Sequence, residues 1–317
     1  MQRRQKILIG YQPEHQGEAA LAAGYGLAAA LDSTPVVATV LPWPRYLQTP
    51  EPLEQELCDP LTEQFGAEHP ELASPRPVSK VFAAPSAGSG LEEMALAVRA
   101  HLIVVGASHL GPAGSTFAGR VGESLLHGSS RAVAVAPLDY APGGQGFEQI
   151  AVAFDGSPEA WCALESAIAL ADAVHASLTV LTVAEMPAFT AVTPWSGMAA
   201  AQARDTERQH CKRLLELARG RISEELACET RLLEGDPGEA LARVSGEYDL
   251  ILTGSRGWGP LRRTLLGSTT RTLTDRPGCP VLVLPRGAGL DPLGLREHPE
   301  TASEGREWAG TASVRTT

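Results

Sequence analysis

The stretch from Gly254 to Thr269, GSRGWGPLRRTLLGST, concentrates glycine and positive charge in one short segment. The whole chain carries a formal net charge of -11, so the three arginines here are a local feature. The stretch follows the apolar run YDLILT and is therefore the loop after a buried strand. Glycine lets backbone N–H groups approach a phosphate, and a helix start offers free N–H groups to an anion. We expect Gly254, Gly257, Gly267 and Ser268 to contact phosphate groups.

A carboxylate at the end of another apolar run completes this chemistry. Asp155 follows IAVAF, and it lies beside the glycine loop if the two strands are neighbours. Ligands of open parallel sheets bind at the carboxyl ends of the strands. A carboxylate there can accept both hydroxyl hydrogens of a ribose, so the two features together predict a nucleotide site. Asp155 could instead only open the turn before Ser157, because Asp-Gly-Ser favours turns.

The charged and aromatic residues of the loop leave several roles open. Arg256 stands between two of the glycines and suits a phosphate contact, whereas Arg262 and Arg263 are either phosphate clamps or solvated charges. Trp258 is a lid, an interface residue or a ligand contact. A P-loop is excluded, because none of the three lysines follows G-x-x-x-x-G-K-[ST].

The chain repeats itself once. ILIGYQPEHQGEAAL aligns with IAVAFDGSPEAWCAL, and residues 102–137 align without a gap with residues 250–285. A repeat of this length indicates a duplicated domain. The Gly- and Pro-rich stretch 138–148 is the predicted linker, which gives domains at 1–140 and 149–286. We expect the polar, Gly-rich tail 287–317 to be disordered.

Each half alternates strand and helix patterns. In the second half, the predicted strands are 150–154, 177–185, 229–235, 249–254 and 280–285. Predicted helices start at Ser157, span about 200–223, start at Asp236 and span about 266–275. This order predicts an α/β fold with parallel sheets covered on both faces. The first half follows the same plan, with only a short helix expected in the Pro-rich segment 42–77.

Composition narrows the class of protein. The hydrophobic share of 44% and the absence of a long apolar run predict a water-soluble globular chain. The acidic balance argues against nucleic acid and anionic membranes as partners. The five cysteines are scattered without zinc-ligand spacing, which is typical of a reducing cytoplasm. We expect no metal ligands and no catalytic residues.

The second half resembles a universal stress protein domain over residues 149–286. The family motif G-x2-G-x9-G-[ST] is matched by Gly254, Gly257, Gly267 and Ser268, and its acid after strand one by Asp155. GDP at 235–237 and DLI at 249–251 also fit. The resemblance implies a Rossmann-like, adenine nucleotide alpha hydrolase-like sheet of order 3-2-1-4-5, and bound ATP, with or without Mg²⁺. It further implies an adenine contact from the backbone of Val183, and a site lined by Thr253, Arg256 and Thr269.

The first half departs from this motif. Gln12 replaces the acid, His109 replaces the second glycine, and Gly119-Arg120 replaces Gly-Ser. His109 itself is interpreted as a surface or interface histidine. We therefore expect this half to hold little or no nucleotide.

The two halves are expected to meet through their fifth strands. The apolar runs 132–137 and 280–285 are edge strands in the predicted order, and such edges invite pairing. We expect them to pair antiparallel within one chain. A further homodimer would then use segment 42–77 or the loop near Trp195.

Three functions remain open at this stage. The first is a cytoplasmic stress-response or signalling module that binds ATP in its second domain, where the word stress comes from the resemblance alone. The second is a slow ATPase or autophosphorylating enzyme, for which Arg256 and Arg262 are candidate clamps but no base is evident. The third is a partner-binding scaffold without nucleotide.

Overall fold

The structure is a computed structural model that describes residues 5–12, 17–42, 78–107, 119–140, 146–185, 194–255, 266–286 and 293. For 41–42, 78–83 and 194–200 it describes the backbone only. The first half contains β1 (Lys6–Gly10), α1 (Gly17–Ala30), β2 (Thr34–Pro42), β3 (Val78–Ala84), α2 (Ala87–Val98), β4 (Ala100–Gly106), α3 (Gly119–Gly128) and β5 (Ala132–Ala136).

The second half repeats this order. It contains β6 (Gln149–Ala153), α4 (Pro158–Val174), β7 (Ser177–Ala184), α5 (Pro194–Arg219), β8 (Cys228–Glu234), α6 (Pro237–Val244), a 3₁₀ turn (Ser245–Glu247), β9 (Leu250–Gly254), α7 (Ser268–Asp275) and β10 (Val281–Leu284). The strands fall within one residue of their predicted bounds. The long helix starts six residues earlier than predicted, at Pro194, and ends at Arg219 instead of near Ser223. The helix predicted in 42–77 lies outside the described residues.

Each half forms a five-stranded parallel sheet. The strand orders are β3-β2-β1-β4-β5 and β8-β7-β6-β9-β10, so the predicted order 3-2-1-4-5 is confirmed in both. In this order β1 and β4 are neighbours, as are β6 and β9. The carboxyl ends of β6 and β9 therefore lie side by side, which is the condition for Asp155 to face the glycine loop.

The two sheets join at their fifth strands. β5 and β10 pair antiparallel, with Val281 opposite Val135, Leu282 opposite Ala134, and Val283 opposite Val133. The result is one continuous ten-stranded sheet within a single chain. We call the β5–β10 junction the seam. Pairing at the seam satisfies the edge hydrogen-bonding groups that each half would otherwise expose.

Two apolar layers cover the faces of this sheet, and each layer runs across the seam. One cluster contains residues of α1 and α4, and the other contains residues of α2, α3, α6 and α7. Of segment 287–317, the structure describes Leu293, which is 2% exposed within the first cluster. The chain is thus anchored at this one position, and disorder stays a prediction for the rest of the segment.

Local sequence explains why α4 begins where it does. The Ser157 side chain accepts a hydrogen bond from the N–H of Ala160 at 3.2 Å, and Pro158 occupies the first turn. A capping hydroxyl followed by proline is a strong helix start. The helix begins just after Asp155, which therefore lies between the carboxyl end of β6 and the start of α4.

Candidate functional site

A cavity of about 650 Å³ opens at the carboxyl ends of the second half's strands. This volume is within the range of small-molecule pockets. Of the residues predicted from the sequence to bind the ligand, those lining the cavity are Asp155, Val183, Thr253, Gly254, Gly267, Ser268 and Thr269. Arg256 and Gly257, also predicted, lie outside the described residues, as do Trp258, Arg262 and Arg263. The structure thus brings together seven side chains or backbone segments that the sequence spreads over more than a hundred positions.

Asp155 takes part in a turn and also lines the cavity. Its Oδ1 accepts a hydrogen bond from the N–H of Ser157 at 2.9 Å, and the residue is solvent-exposed. Gly156 makes the turn possible, because its φ of +76° lies in the left-handed region. The turn role weighed from the sequence is therefore real. It uses one carboxylate oxygen, and Oδ2 accepts no hydrogen bond from any residue that the structure describes.

The start of α7 also lines the cavity. Gly267 is its N-cap residue and has no side chain with which to cap the helix. By contrast, Ser157 and Asp236 cap α4 and α6 through their side chains. The first N–H groups of α7 thus lack a side-chain acceptor, and Ser268 and Thr269 of this first turn line the cavity. Such a helix start favours a negatively charged group.

The base of the glycine loop is held by hydrogen bonds. The N–H of Gly267 donates to the carbonyl of Ser255 at 3.1 Å, and the Thr270 hydroxyl donates to the carbonyl of Gly254 at 2.9 Å. Ser255 and Gly267, which flank residues 256–266, are therefore held close together. Their positions are set by β9 and α7, which they adjoin.

Gly254 also has a packing role. A Cβ at this position would lie 2.7 Å from the Cβ of Glu159 and 2.9 Å from its carbonyl carbon. Since real Cβ atoms do not approach so closely, any side chain here would push β9 away from the start of α4. The first motif glycine is thus required by the contact between strand and helix, whatever it contributes to phosphate binding.

Val183 offers an acceptor beyond the end of β6. The carbonyl of Leu181 accepts from the N–H of Phe154 at 2.8 Å and so faces β6. Because backbone groups alternate along a strand, the carbonyl of Val183 faces the same way, but β6 ends at Ala153. This carbonyl accepts a hydrogen bond from the Cys211 thiol at 3.7 Å.

Helix α5 supplies a wall of the cavity that the sequence reasoning missed. Glu207, His210, Cys211 and Leu214 come from this helix, and Glu185 lies just after β7. Their spacing of three and four residues puts them on one helical face, whereas the sequence predicted only that a helix spans this region. Burial, followed by the nearby carboxylate of Glu207, raises the pKa of the Cys211 thiol to about 11.

The corresponding end of the first half keeps the backbone pattern. The N–H of Tyr11 donates to the carbonyl of Ala38 at 2.9 Å, and the Thr39 hydroxyl donates to the carbonyl of Tyr11 at 3.1 Å. Gln12 follows Tyr11 where Asp155 follows Phe154, and Gly119 begins α3 where Gly267 precedes α7. His109 lies outside the described residues.

Membrane-spanning helices and groups of metal ligands are both absent from the part of the chain that the structure describes. Within the described ranges, no helix is long and apolar enough to cross a membrane. In the same part of the chain, no three His, Cys, Asp or Glu side chains are grouped so that they could hold a metal ion.

Comparison with known proteins matches both halves of the chain to one family. The sequence model of the Universal stress protein family matches residues 3–137 and again residues 146–285. The universal stress protein YxiE of Bacillus subtilis is 28% identical over 147 residues, which are 44% of this chain and 99% of YxiE. A universal stress protein of Mycobacterium tuberculosis is 33% identical over 82 residues, which are 25% of this chain. That alignment spans only 28% of the mycobacterial relative.

A solved structure resembles the whole chain. The crystal structure of a universal stress protein from Archaeoglobus fulgidus aligns with 89% of this chain and 96% of its own, with a TM-score of 0.58 and 18% identity. At that identity the likeness shows the fold, which is the adenine nucleotide alpha hydrolase-like α/β fold. The two family matches together cover most of the sequence, and the chain therefore belongs to the universal stress protein family, as a tandem of two such domains.

Proposed function

We propose that the second domain binds ATP and that this chain acts as a nucleotide-dependent module in a cytoplasmic stress response. The observation that carries the proposal is one cavity lined by groups of opposite electrostatic character. They are the exposed carboxylate of Asp155 and the start of α7, which has no side-chain cap. A ribose fits the first group and a phosphate chain fits the second.

Each part of the nucleotide has a matching group in this chain. Oδ2 of Asp155 accepts a hydrogen bond from a ribose hydroxyl while Oδ1 remains bonded to the N–H of Ser157. The N–H groups of Ser268 and Thr269 donate to phosphate oxygens. The carbonyl of Val183 accepts from the adenine amino group, in place of the weak bond from the Cys211 thiol.

Charge balance bears on how the phosphates are neutralised. The acidic side chains that line the described part of the cavity are Asp155, Glu185 and Glu207, and no Lys or Arg lines that part. The N–H groups of α7 supply only partial positive charge. We propose that Arg256, with Mg²⁺ carried in on the phosphates, supplies the remaining charge.

The experiment is to purify the protein without added nucleotide and to identify the small molecules that it releases on denaturation. ATP supports binding without turnover. ADP or AMP supports the alternative of a slow ATPase, and radiolabel retained on the protein after incubation with γ-labelled ATP supports autophosphorylation. If nothing is released and calorimetry shows no uptake of added ATP, the protein is a scaffold and the proposal is wrong.

The number of sites follows from the difference between the two domains. Asp155 and the complete glycine motif belong to the second domain only. Calorimetry should therefore show one ATP per chain. Two equivalent sites would contradict the proposed loss of binding in the first domain.

A further inference from the structure

The seam has an internal two-fold relation that identifies its central residues. Residues 102–137 align with residues 250–285 without a gap, so Ala134 and Leu282 occupy the same place in their domains. In the antiparallel pairing Leu282 lies directly opposite Ala134. Where a residue pairs with its own counterpart, the pseudo-two-fold axis lies between the two. The axis therefore passes between Ala134 and Leu282.

The positions beside the axis do not distinguish one domain from the other. Val133 pairs with Val283, and Val135 pairs with Val281. Two identical domains joined in this way would make the same valine pairs. A preference for unlike domains therefore needs contacts at which the two domains differ, and the pair on the axis is such a contact.

The axis pair differs in size. Ala134 and Leu282 are both 0% exposed, within the core cluster that contains α1 and α4. Opposed residues of an antiparallel pair have Cβ atoms about 4.5–5.5 Å apart. Two first domains would place Ala against Ala and leave a cavity, whereas two second domains would crowd Leu against Leu. Each of these changes in volume destabilises a packed core.

A second axis pair differs in charge, on the other face of the sheet. Glu123 of α3 and Arg271 of α7 also occupy the same place in their domains. They form an ion pair across the seam, with Nη2 of Arg271 3.7 Å from Oε1 of Glu123. Two first domains would place Glu against Glu, and two second domains would place Arg against Arg. An exposed ion pair adds little stability, but like charges in its place add a penalty, and specificity is the difference between the two.

We propose that the seam is specific for unlike domains, and that Ala134/Leu282 and Glu123/Arg271 select pairing of a first domain with a second domain. The seam surface of the first domain thus fits a second domain, and that of the second domain fits a first domain. Each surface rejects a like domain from another copy of the chain. Duplication makes this possible, because the two counterparts of each axis position can differ in sequence.

The first test lets the domains choose their partners. A protease site is introduced within residues 141–145, the folded chain is cut there, and the cut protein is unfolded in urea and refolded. Native mass spectrometry then separates the three possible pairs by mass. We expect the first–second pair in at least about tenfold excess over the statistical 1:2:1 mixture. Random reassortment would overturn the proposal.

The second test uses the intact chain and does not need the cut domains to refold. The charge set is E123R, R271E and the swapped double variant E123R/R271E, and the size set is A134L, L282A and A134L/L282A. Hydrogen exchange of the β5 and β10 amides reports opening of the seam. Each single variant should speed exchange severalfold, and each swapped double variant should recover most of the wild-type protection. If exchange in both swapped double variants is as fast as the added effects of their two single variants, the proposal is wrong.

Arg276 provides a matched control for the charge set. It follows α7 directly and pairs with Glu239 of its own domain at 4.0 Å, away from the axis. R276E makes the same change of charge and should leave exchange at the seam unchanged. An effect equal to that of R271E would mean that total charge, not the axis contact, governs the seam.

Discussion

The two domains have the same order of strands, but the side chains at the ends of their strands differ. In both, an aromatic residue after the first strand donates its N–H to the second strand, and a threonine hydroxyl there donates back to its carbonyl. The distances are 2.9 and 3.1 Å at Tyr11, and 2.8 and 2.8 Å at Phe154. The next residue is Gln12 in one domain and Asp155 in the other. The hydrogen bonds at these strand ends thus do not depend on the side chains that are proposed to bind a ligand.

This difference shows that the residue after the first strand can change without a change of fold. Backbone hydrogen bonds and buried apolar residues hold the sheet, and neither depends on Gln12 or on Asp155. The comparison of the two domains is therefore best tested by changes that leave the backbone alone.

The largest effect is expected for Gly267→Val. The φ of Gly267 is -59°, a value open to any residue, so valine should not strain the backbone. Its side chain would occupy the space at the start of α7 that the phosphates need. We expect ATP affinity to fall at least about 100-fold by calorimetry. Gly246→Val is the control, because a Cβ there meets no atom within 4 Å. Normal ATP binding by a folded Gly267→Val variant would refute the phosphate assignment.

The next effect concerns the residue that most clearly separates the domains. Asp155→Asn keeps a carbonyl oxygen for the N–H of Ser157 but removes the charge offered to the ribose. We expect about a tenfold loss of ATP affinity with little change in melting temperature. The loss should be smaller for 2′-deoxy-ATP, which already lacks one hydroxyl.

The reciprocal change in the first domain should do little. Gln12→Asp restores the acid, but His109 and Gly119-Arg120 still differ from the motif. We expect no second site in calorimetry. A second ATP per chain would show that the acid alone accounts for the difference between the domains.

A smaller effect is expected from the thiols, whose four described members all lie in the second domain. Cys211 lines the cavity, whereas Cys228 on β8 does not. Saturating ATP should slow alkylation of Cys211 at pH 9 by about tenfold or less, and should leave the rate at Cys228 unchanged. Equal rates at Cys211 with and without ATP would place the nucleotide away from α5.

Alkaline pH provides a further test of the second domain. Burial raises the pKa of Cys211 to about 11 and that of Cys279 to about 12, above the ordinary value of 9.0. A raised thiol pKa stabilises the fold while the thiol is protonated, and this contribution is lost once the unfolded chain ionises first. The contribution of these two thiols to stability should be constant below pH 9 and decline from pH 9 to 12. Replacing Cys211 and Cys279 with alanine should flatten that decline in urea titrations.

The smallest effect is expected for Ser157→Ala. It removes the hydroxyl that caps α4 and should cost about 1 kcal/mol in free energy of unfolding. ATP affinity should change less than twofold, because the backbone of the turn remains held by Asp155. A larger change in affinity than in stability would assign the Ser157 hydroxyl to the ligand.

Much of the architecture could be predicted because its signals are local. Alternation of apolar strands with capped helices predicted the parallel sheet, and the ungapped repeat predicted two copies of it. The start of α5 was misplaced by six residues, since Pro194, Ser196 and Gly197 in its first turn are weak helix formers. The role of α5 as a cavity wall was missed because its distance from β6 and β9 depends on how helices pack over the sheet.

The sequence by itself determined the duplication, the order of elements and the residue types at the site, since these follow from repeat alignment, periodicity and chemistry. Only the tertiary structure decided that one oxygen of Asp155 is used in a turn, that Gly254 is required by α4, and that Leu282 lies opposite Ala134. Each of these is a contact between segments far apart along the chain. Such contacts are set by packing and strand register, and neither is specified by the local pattern that a sequence displays.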